Sequence, residues 1–261
     1  MIIASSCPLC ASRNRLTPLR ENRFAPPFEV VECADCHTLF RPGGEESPPH
    51  HLCDGRPLLQ KLRCWKTPWR RFVNSCRMRQ SLGRDHLLGR LMLHMFGPHP
   101  LAGWFRPGRV GQGARILQVG CGAGELLVEL HLGGFTELTG VESRLQADCR
   151  LDEGLSLVKG EVTELAGPFD LIVLHHHLEY HVDPAALLAR LPPRLATEGT
   201  VLLRMALAGA EAWRDLGGAG QPPRFLPTVR GLRQLAERTG FALTHADEEE
   251  GCFVLSKAEG R

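Results

Sequence analysis

The stretch from Ala114 to Leu127, ARILQVGCGAGELL, constrains this chain most. A short apolar run leads directly into glycines at three alternate positions, Gly120, Gly122 and Gly124. A helical pattern follows at once, because apolar residues recur at Leu126, Leu127 and Leu130. The pattern predicts a buried strand, a tight glycine turn and the N-terminus of a helix. Glycine suits such a turn because it adopts unusual dihedral angles and lets a ligand approach bare backbone.

Further apolar runs follow this turn in order. Strands are predicted at Leu138–Val141, Leu155–Val158 and Thr200–Met205, with another in the run FDLIVLHHHLEYHVDP at residues 169 to 184. Helical patterns at Pro184–Leu195 and after Thr228 alternate with them, and a last strand is predicted at Cys252–Ser256. Alternating strands and helices predict a mainly parallel α/β sheet with helices on both faces.

Two classes of ligand use a glycine turn of this kind. Dinucleotide sites favour Gly-x-Gly-x-x-Gly, but here the third glycine comes one residue early and Glu125 stands in its place. A carboxylate at that position would repel a pyrophosphate. An acidic residue at the end of the second strand, Glu142, is suited to accept hydrogen bonds from ribose hydroxyls.

In this order, the motifs of residues 109 to 261 resemble those of class I S-adenosylmethionine (SAM)-dependent methyltransferases. The resemblance implies a Rossmann-like sheet, SAM as cofactor, ribose contacts from Glu142, and adenine contacts from Glu161 and Val162. Gln118 stands where the family usually has an acidic residue that orients the methionine amine, so weaker SAM affinity is expected. The resemblance implies these cofactor-binding residues: Gln118, Gly120, Cys121, Gly122, Gly124, Glu142, Ser143, Glu161, Val162 and His175.

A cluster of histidines follows the predicted fourth strand. Histidine is the side chain best suited to remove a proton from an acceptor near neutral pH. Strand alternation would send His175 and His177 one way and His176 the other. The family resemblance favours His176 as the base, with His175 beside it and with His181 or Tyr180 positioning the acceptor. A metal site or a purely structural role for the histidines remains an alternative.

Four of the ten cysteines form two pairs near the start of the chain. Cys7 and Cys10 form one pair, and Cys33 and Cys36 form the other after a gap of 22 residues. Two such turns can meet around one tetrahedral Zn²⁺, whereas free or disulfide-bonded cysteine is the alternative. The surrounding pattern resembles the zinc ribbon that precedes certain bacterial small-molecule methyltransferases. Because so small a unit buries little surface, chelation is expected to unfold residues 1–46 and to spare the rest.

A basic segment joins the predicted ribbon to the predicted α/β domain. Nine lysines and arginines lie between Arg56 and Arg84 without an acidic residue, and Trp65 and Trp69 lie among them. This pattern is typical of a nucleic-acid surface, or of an amphipathic helix whose apolar face (Leu62, Trp65, Trp69 and Phe72) packs on the catalytic domain. A second helix is predicted at Leu87–Phe96, where the family commonly has helices that cap the SAM pocket.

We therefore predict a zinc ribbon at 1–46, a hinge and helical lid at 47–108, and a SAM-binding domain at 109–261. The net charge of +2 indicates no partner class by itself, and no run of 18 apolar residues predicts a membrane span. No export signal is apparent, which favours a cytoplasmic protein. The predicted function is methylation of a small molecule at oxygen or carbon. The alternatives are an RNA methyltransferase and a non-catalytic SAM-binding protein, and the sequence says little about oligomeric state.

Overall fold

The chain divides into two compact units in a computed structural model. The structure describes residues 6–13, 16–18, 30–42, 68–84, 87–108, 110–209 and 223–258. Unit 1 comprises Met1–His50, His176–Pro192 and Leu203–Arg261, and unit 2 comprises His51–His175 and Pro193–Leu202.

A mixed sheet forms the centre of unit 2. Four parallel neighbours in the order β8, β4, β5 and β7 are Phe169–His175, Arg115–Val119, Glu137–Glu142 and Leu155–Lys159. The antiparallel strand β6 (Cys149–Asp152) pairs with β7 at one edge, and β9 (Leu195–Arg204) lies beside β8. Continuous apolar runs form these strands because both faces of a parallel sheet are covered. Leu117 and Ile172, for example, are fully buried.

Four helices of unit 2 lie within the described residues. They are α1 (Pro68–Ser81), α2 (Leu87–Phe96), α3 (Ala102–Phe105) and α4 (Glu125–Leu132). Val73 and Cys76 of α1 form a buried cluster with Met92 of α2. The prediction that Trp69 and Phe72 of the basic segment pack on the catalytic domain is wrong. Trp69 is 60% exposed and Phe72 is 43% exposed. Leu62 and Trp65 lie outside the described residues.

Unit 1 contains a small antiparallel sheet of four strands. In sheet order these are β1 (Leu16–Pro18), β2 (Val31–Cys33), β3 (Leu39–Phe40) and β10 (Phe225–Leu226). The unit also contains α5 (Pro184–Ala189), α6 (Val229–Arg238) and the antiparallel hairpin of β11 (Phe241–Asp247) and β12 (Cys252–Lys257). The first three strands come from the cysteine-containing segment, whereas β10 comes from the segment just before α6.

Some element boundaries differ from those that the sequence predicts. The helix after Asp183 ends at Ala189 rather than Leu195, because two prolines follow at 192 and 193 and cannot continue it. Strand β9 begins at Leu195, five residues before the predicted start. Strands β6 and β10 are not predicted. None of the described helices has the length and apolar character needed to cross a lipid bilayer.

Candidate active site

The glycine turn connects β4 to α4 at the carboxyl edge of the sheet in unit 2. Gly120, Gly122 and Gly124 have φ angles of 67°, 55° and 88°, a region that other residues rarely adopt. At Gly124 a Cβ atom would also lie 3.0 Å from Leu157 Cδ2. The amides of Gly120 and Cys121 both donate to the carbonyl oxygen of Val141 on β5. The turn is therefore fixed against the neighbouring strand.

Glu142, the last residue of β5, lies directly beside this turn. Its Oε2 accepts a hydrogen bond from the amide of Gly122 over 3.3 Å, and its Oε1 accepts one from the amide of Arg144 over 3.2 Å. Ser143 follows and is exposed. Each carboxylate oxygen has a second lone pair, so Glu142 retains the capacity to accept hydrogen bonds from a ribose.

Gln118 supplies a buried acceptor near the end of β4. The residue is only 4% exposed, and its Oε1 has no hydrogen-bond partner within the described part of the chain. A buried polar atom without a partner is costly, and a donor on a bound ligand would satisfy it. The ammonium group of SAM is such a donor, so the residues present fit this cofactor.

Cys121 packs inside the turn rather than pointing at the edge of the sheet. The residue is buried, and a Cβ atom at Gly140 would lie 2.6 Å from its Sγ. Glycine at position 140 thus leaves the space that the Cys121 side chain occupies.

The turn after β7 holds the two residues predicted to contact adenine. The amide of Glu161 donates to Glu164 Oε2 over 2.9 Å, which closes a short 3-10 helix at Val162–Glu164. Val162 is buried, and its carbonyl oxygen accepts a hydrogen bond from Arg194 Nε over 2.9 Å. The turn is therefore held from both sides at the same sheet edge as Glu142.

Trp104, which the sequence did not single out, contacts the predicted site residue His175. Its ring lies 5.4 Å from the ring of His175, centroid to centroid, with the planes inclined by 31°. His175 is the last residue of β8, so this aromatic pair stands at the carboxyl edge of the sheet. The only signal in the sequence was an aromatic residue shortly before β4.

The histidine segment of unit 1, residues 176 to 181, begins with a sharp change of backbone direction. Strand β8 ends at His175, and His176 has a φ of 46°, so the prediction that strand alternation orients His176 and His177 is wrong. His176 Nδ1 lies 3.0 Å from Glu179 Oε1, and its amide donates to the carbonyl oxygen of Arg204. Glu179 is fully buried, and its Oε2 has no hydrogen-bond partner among the described residues.

The other polar residues of this segment also contact one another. The Nε2 atoms of His177 and His181 lie 2.9 Å apart, and the two rings meet edge to face. Burial, with a smaller contribution from the charge of Glu179, raises the pKa of Tyr180 to about 12. Tyr180 therefore stays a neutral phenol near neutral pH and is suited to donate a hydrogen bond rather than to act as a base.

The four N-terminal cysteines of unit 1 converge. The Sγ atoms of Cys7, Cys10, Cys33 and Cys36 all lie within 4.8 Å of one another. The Sγ distances are 3.6 Å for Cys7 and Cys36 and 3.5 Å for Cys10 and Cys33. Sulfur atoms bound tetrahedrally to Zn²⁺ at about 2.3 Å lie roughly 3.8 Å apart, so this donor set fits zinc. Within the described ranges it is the only group of three or more potential ligands close enough to share a metal.

The surroundings of the cluster favour a thiolate at Cys36. The contacts of Cys36 with Cys7 and Thr38 lower the pKa of the Cys36 thiol to about 5. The same contact, together with burial, raises the pKa of Cys7, and burial raises that of Cys10 to about 11. The Cys7–Cys36 pair thus holds a proton that a metal ion would displace. His37 lies outside the cluster, since its exposed ring contacts Glu32 at 2.7 Å.

A parallel sheet with a glycine turn, a carboxylate on the neighbouring strand and a buried acceptor at one edge defines a Rossmann-like nucleotide-cofactor fold. The sequence profile of the methyltransferase domain matches residues 89–246, which is more than half of the chain. The chain therefore belongs to this family and is a SAM-dependent methyltransferase. No curated protein sequence matches it.

Comparison with solved structures finds methyltransferases at low sequence identity. A SAM-dependent methyltransferase from Mesorhizobium loti is 19% identical, with a TM-score of 0.43 over 59% of this chain and 97% of that chain. The 1,6-didemethyltoxoflavin-N1-methyltransferase from Burkholderia thailandensis is 15% identical, with a TM-score of 0.45 over 93% of this chain and all of that chain. Magnesium protoporphyrin IX methyltransferase from Synechocystis is 14% identical, with a TM-score of 0.45 over 79% and 100% of the two chains.

Proposed function

We propose that this methyltransferase acts on a small molecule at an oxygen or an acidic carbon, with His176 as the general base. The contact between His176 and the buried carboxylate of Glu179 is the observation that carries this proposal. An imidazole that donates from Nδ1 to a carboxylate has its lone pair on Nε2, where it accepts a proton. This arrangement of base and orienting carboxylate recurs in enzymes that deprotonate weakly acidic groups.

The cofactor would supply a methyl group that is already activated on a sulfonium sulfur. The remaining task of the chain is to bind, align and deprotonate. Gln118 and Glu142 would hold the amine and the ribose, while Glu161 and Val162 would line the adenine. His176 Nε2 would take the acceptor's proton, and Glu179 Oε1 would accept the hydrogen bond from Nδ1 throughout. Tyr180 and His181 would orient the acceptor.

The test pairs a substrate screen with one substitution. Phenols, catechols, carboxylic acids and 1,3-dicarbonyl compounds are incubated with methyl-labelled SAM and the purified protein. With any acceptor found, His176→Gln is expected to lower kcat by about 10²- to 10⁴-fold and to leave the affinity for S-adenosylhomocysteine unchanged. The exposed His245 on β11 provides the matched control, His245→Gln. Full turnover by His176→Gln would exclude this base.

RNA methylation is the second candidate function. The contacts of the basic segment support it less than they would if all its cations faced solvent. Arg77 donates to the carbonyl oxygens of Gly97 and Pro98, and Arg71 contacts His131. Both arginines make internal contacts, although Arg71 itself is exposed, as are Arg70, Arg79 and Arg84. Binding to transfer or ribosomal RNA at moderate salt, followed by methyl transfer to it, would favour this alternative. Membership of the methyltransferase family argues against a non-catalytic SAM-binding protein.

We also propose that Cys7, Cys10, Cys33 and Cys36 bind one Zn²⁺ as a zinc ribbon. The convergence of their Sγ atoms supports this proposal. Elemental analysis is expected to give one zinc per chain, and substitution by Co²⁺ is expected to give the absorption of a tetrahedral thiolate site. Cys10→Ser should abolish stoichiometric binding, whereas Cys149→Ser, a change on β6, should not.

A further inference from the structure

Strand β10 completes the small sheet that the cysteine-containing segment begins. Phe225 pairs with Phe40 and Leu226 with Leu39 of β3, and both residues of β10 are fully buried. The amide of Arg41 extends this pairing by donating to the carbonyl oxygen of Arg224 over 2.9 Å. A strand that precedes α6 is therefore an integral part of the cysteine module, which comprises β1 to β3 and the turns that carry Cys7, Cys10, Cys33 and Cys36.

The same segment holds the main chain of the histidine segment. Arg224 accepts from the cysteine module through its carbonyl oxygen, and its amide donates to the carbonyl oxygen of Glu179 over 2.7 Å. One peptide unit on each side of Arg224 thus connects Arg41 to Glu179. The continuous path lies entirely within unit 1.

Glu179 transmits this connection to the candidate base. Its carboxylate is fully buried and contacts His176 Nδ1 at 3.0 Å. A buried carboxylate has few alternative positions, because moving away from its partner would leave a buried charge uncompensated. Displacing the Glu179 backbone therefore displaces the hydrogen bond that orients the His176 ring.

Two more contacts fix the cysteine turns themselves on α6. Thr228 Oγ1 donates to the carbonyl oxygen of Cys36, and Arg238 Nη1 donates to the carbonyl oxygen of Leu9 over 2.6 Å. A Cβ atom at Gly231 would clash with Thr38, so the helix and the second turn are in close contact. The module cannot reorganise without disturbing the segment that carries β10.

We propose that the four-cysteine module positions the candidate base. Metal in the module holds β3 against β10, and β10 holds His176 through the backbone of Arg224 and the carboxylate of Glu179. Arg224 and Glu179 are then positioning residues. The catalytic consequence rests on the proposed role of His176, but the mechanical coupling does not. This coupling extends the expected effect of chelation beyond residues 1–46 to the histidine segment.

The direct test follows the His176 ring by NMR, which does not require an acceptor. Imidazole resonances are recorded on the full-length protein loaded with Zn²⁺, after chelation and after Zn²⁺ is restored, with the His176→Gln spectrum as the assignment. Chelation is expected to shift the His176 resonances reversibly and to leave those of His131 in unit 2 unchanged. Unchanged His176 resonances in protein shown to be metal-free would overturn the proposal.

A pair of variants keeps the test valid if chelation unfolds all of unit 1. Arg224→Pro removes the amide that donates to Glu179, whereas Arg224→Ala retains it. In zinc-loaded protein the first variant is expected to shift the His176 resonances and the second is not. Equal spectra for the two variants would overturn the proposed path.

Kinetics with an acceptor from the screen then separates the two proposals. Glu179→Gln is expected to lower kcat by about tenfold to a hundredfold with little change in KM, because the base loses its orienting partner. Glu248→Gln on the exposed turn before β12 is the control. If the His176 resonances shift but His176→Gln keeps its kcat, the coupling between the cysteine module and His176 stands and His176 is not the base. If His176→Gln loses kcat but the His176 resonances do not respond to chelation, His176 stands as the base and the proposed coupling is overturned.

Discussion

Thr228 and Cys36 are 192 positions apart, yet the Thr228 hydroxyl donates to the Cys36 carbonyl oxygen over 2.5 Å. The same hydroxyl oxygen accepts a hydrogen bond from the amide of Gly231 over 3.0 Å and thereby caps α6. One side chain thus begins a helix and fixes one of the two cysteine turns.

Replacing Thr228 by Val is expected to remove both hydrogen bonds. The loss of a helix cap alone costs about 1 kcal/mol, and the orphaned carbonyl adds to this cost. We expect a lower free energy of unfolding in urea titrations of the zinc-loaded protein. Thr228→Ser keeps the hydroxyl and should retain most of the stability; an unchanged free energy of unfolding in Thr228→Val would contradict the prediction.

Glu142→Ala is expected to weaken binding of S-adenosylhomocysteine by about 1–3 kcal/mol. The variant loses the ribose acceptor and also the hydrogen bond to the amide of Gly122 in the glycine turn. Isothermal titration calorimetry measures the change, and Glu153→Ala in the turn between β6 and β7 is the control. Unchanged affinity in Glu142→Ala would contradict the assignment of this edge as the cofactor site.

Gln118→Leu tests the buried acceptor on β4. The substitution keeps the shape of the side chain but removes Oε1, so binding of SAM is expected to weaken by about 1–2 kcal/mol. The apo protein should be as stable as the parent or more stable, because a buried polar atom without a described partner has been removed. Calorimetry and urea unfolding on the same samples separate these effects. Reduced stability with unchanged affinity would show that Gln118 has a structural role only.

His99 is expected to make unit 2 sensitive to acid. Burial, helped by the nearby charge of Arg77, lowers the pKa of His99 to about 4. In the unfolded chain a histidine binds its proton near pH 6.5, so acid favours unfolding. The free energy of unfolding should therefore fall by about 3 kcal/mol between pH 7 and pH 4 on account of this residue.

Urea unfolding at a series of pH values tests this dependence. His99→Asn retains an acceptor for the amide of Leu101, which now donates to His99 Nδ1, and should show a flatter pH profile. His94→Asn changes an exposed histidine on α2 and serves as the control. Parallel profiles for the parent and His99→Asn would contradict the prediction.

The local sequence pattern was sufficient to predict the strands and turns at the carboxyl edge of the sheet. The glycine turn, Glu142 at the end of β5 and the helix at Leu87–Phe96 lie where the sequence places them. Each is specified by neighbouring residues: alternate glycines, an apolar run that ends in an acid, or a helical period. The domain boundaries and the roles of the individual site residues stay predictions.

Other features depend on partners that are distant in the sequence. Strand β10 has only two residues, so it has no period to detect, and its partner β3 lies in the cysteine-containing segment. The sequence assigned no role to Glu179, which tertiary contacts bury completely. Likewise, nothing in the helical pattern of α1 shows that Trp69 and Phe72 would face outward while Val73 and Cys76 are covered.

The pairing of β3 with β10 also determines the order in which this protein can finish folding. The cysteine turns leave the ribosome before the α/β unit, but the strand that completes their sheet is synthesised after that unit. Until then β3 has an open edge, which is prone to pair wrongly with other chains. Metal bound early would hold the turns together but would not close that edge. Co-translational maturation of the small sheet therefore ends only after Phe225 and Leu226 have emerged.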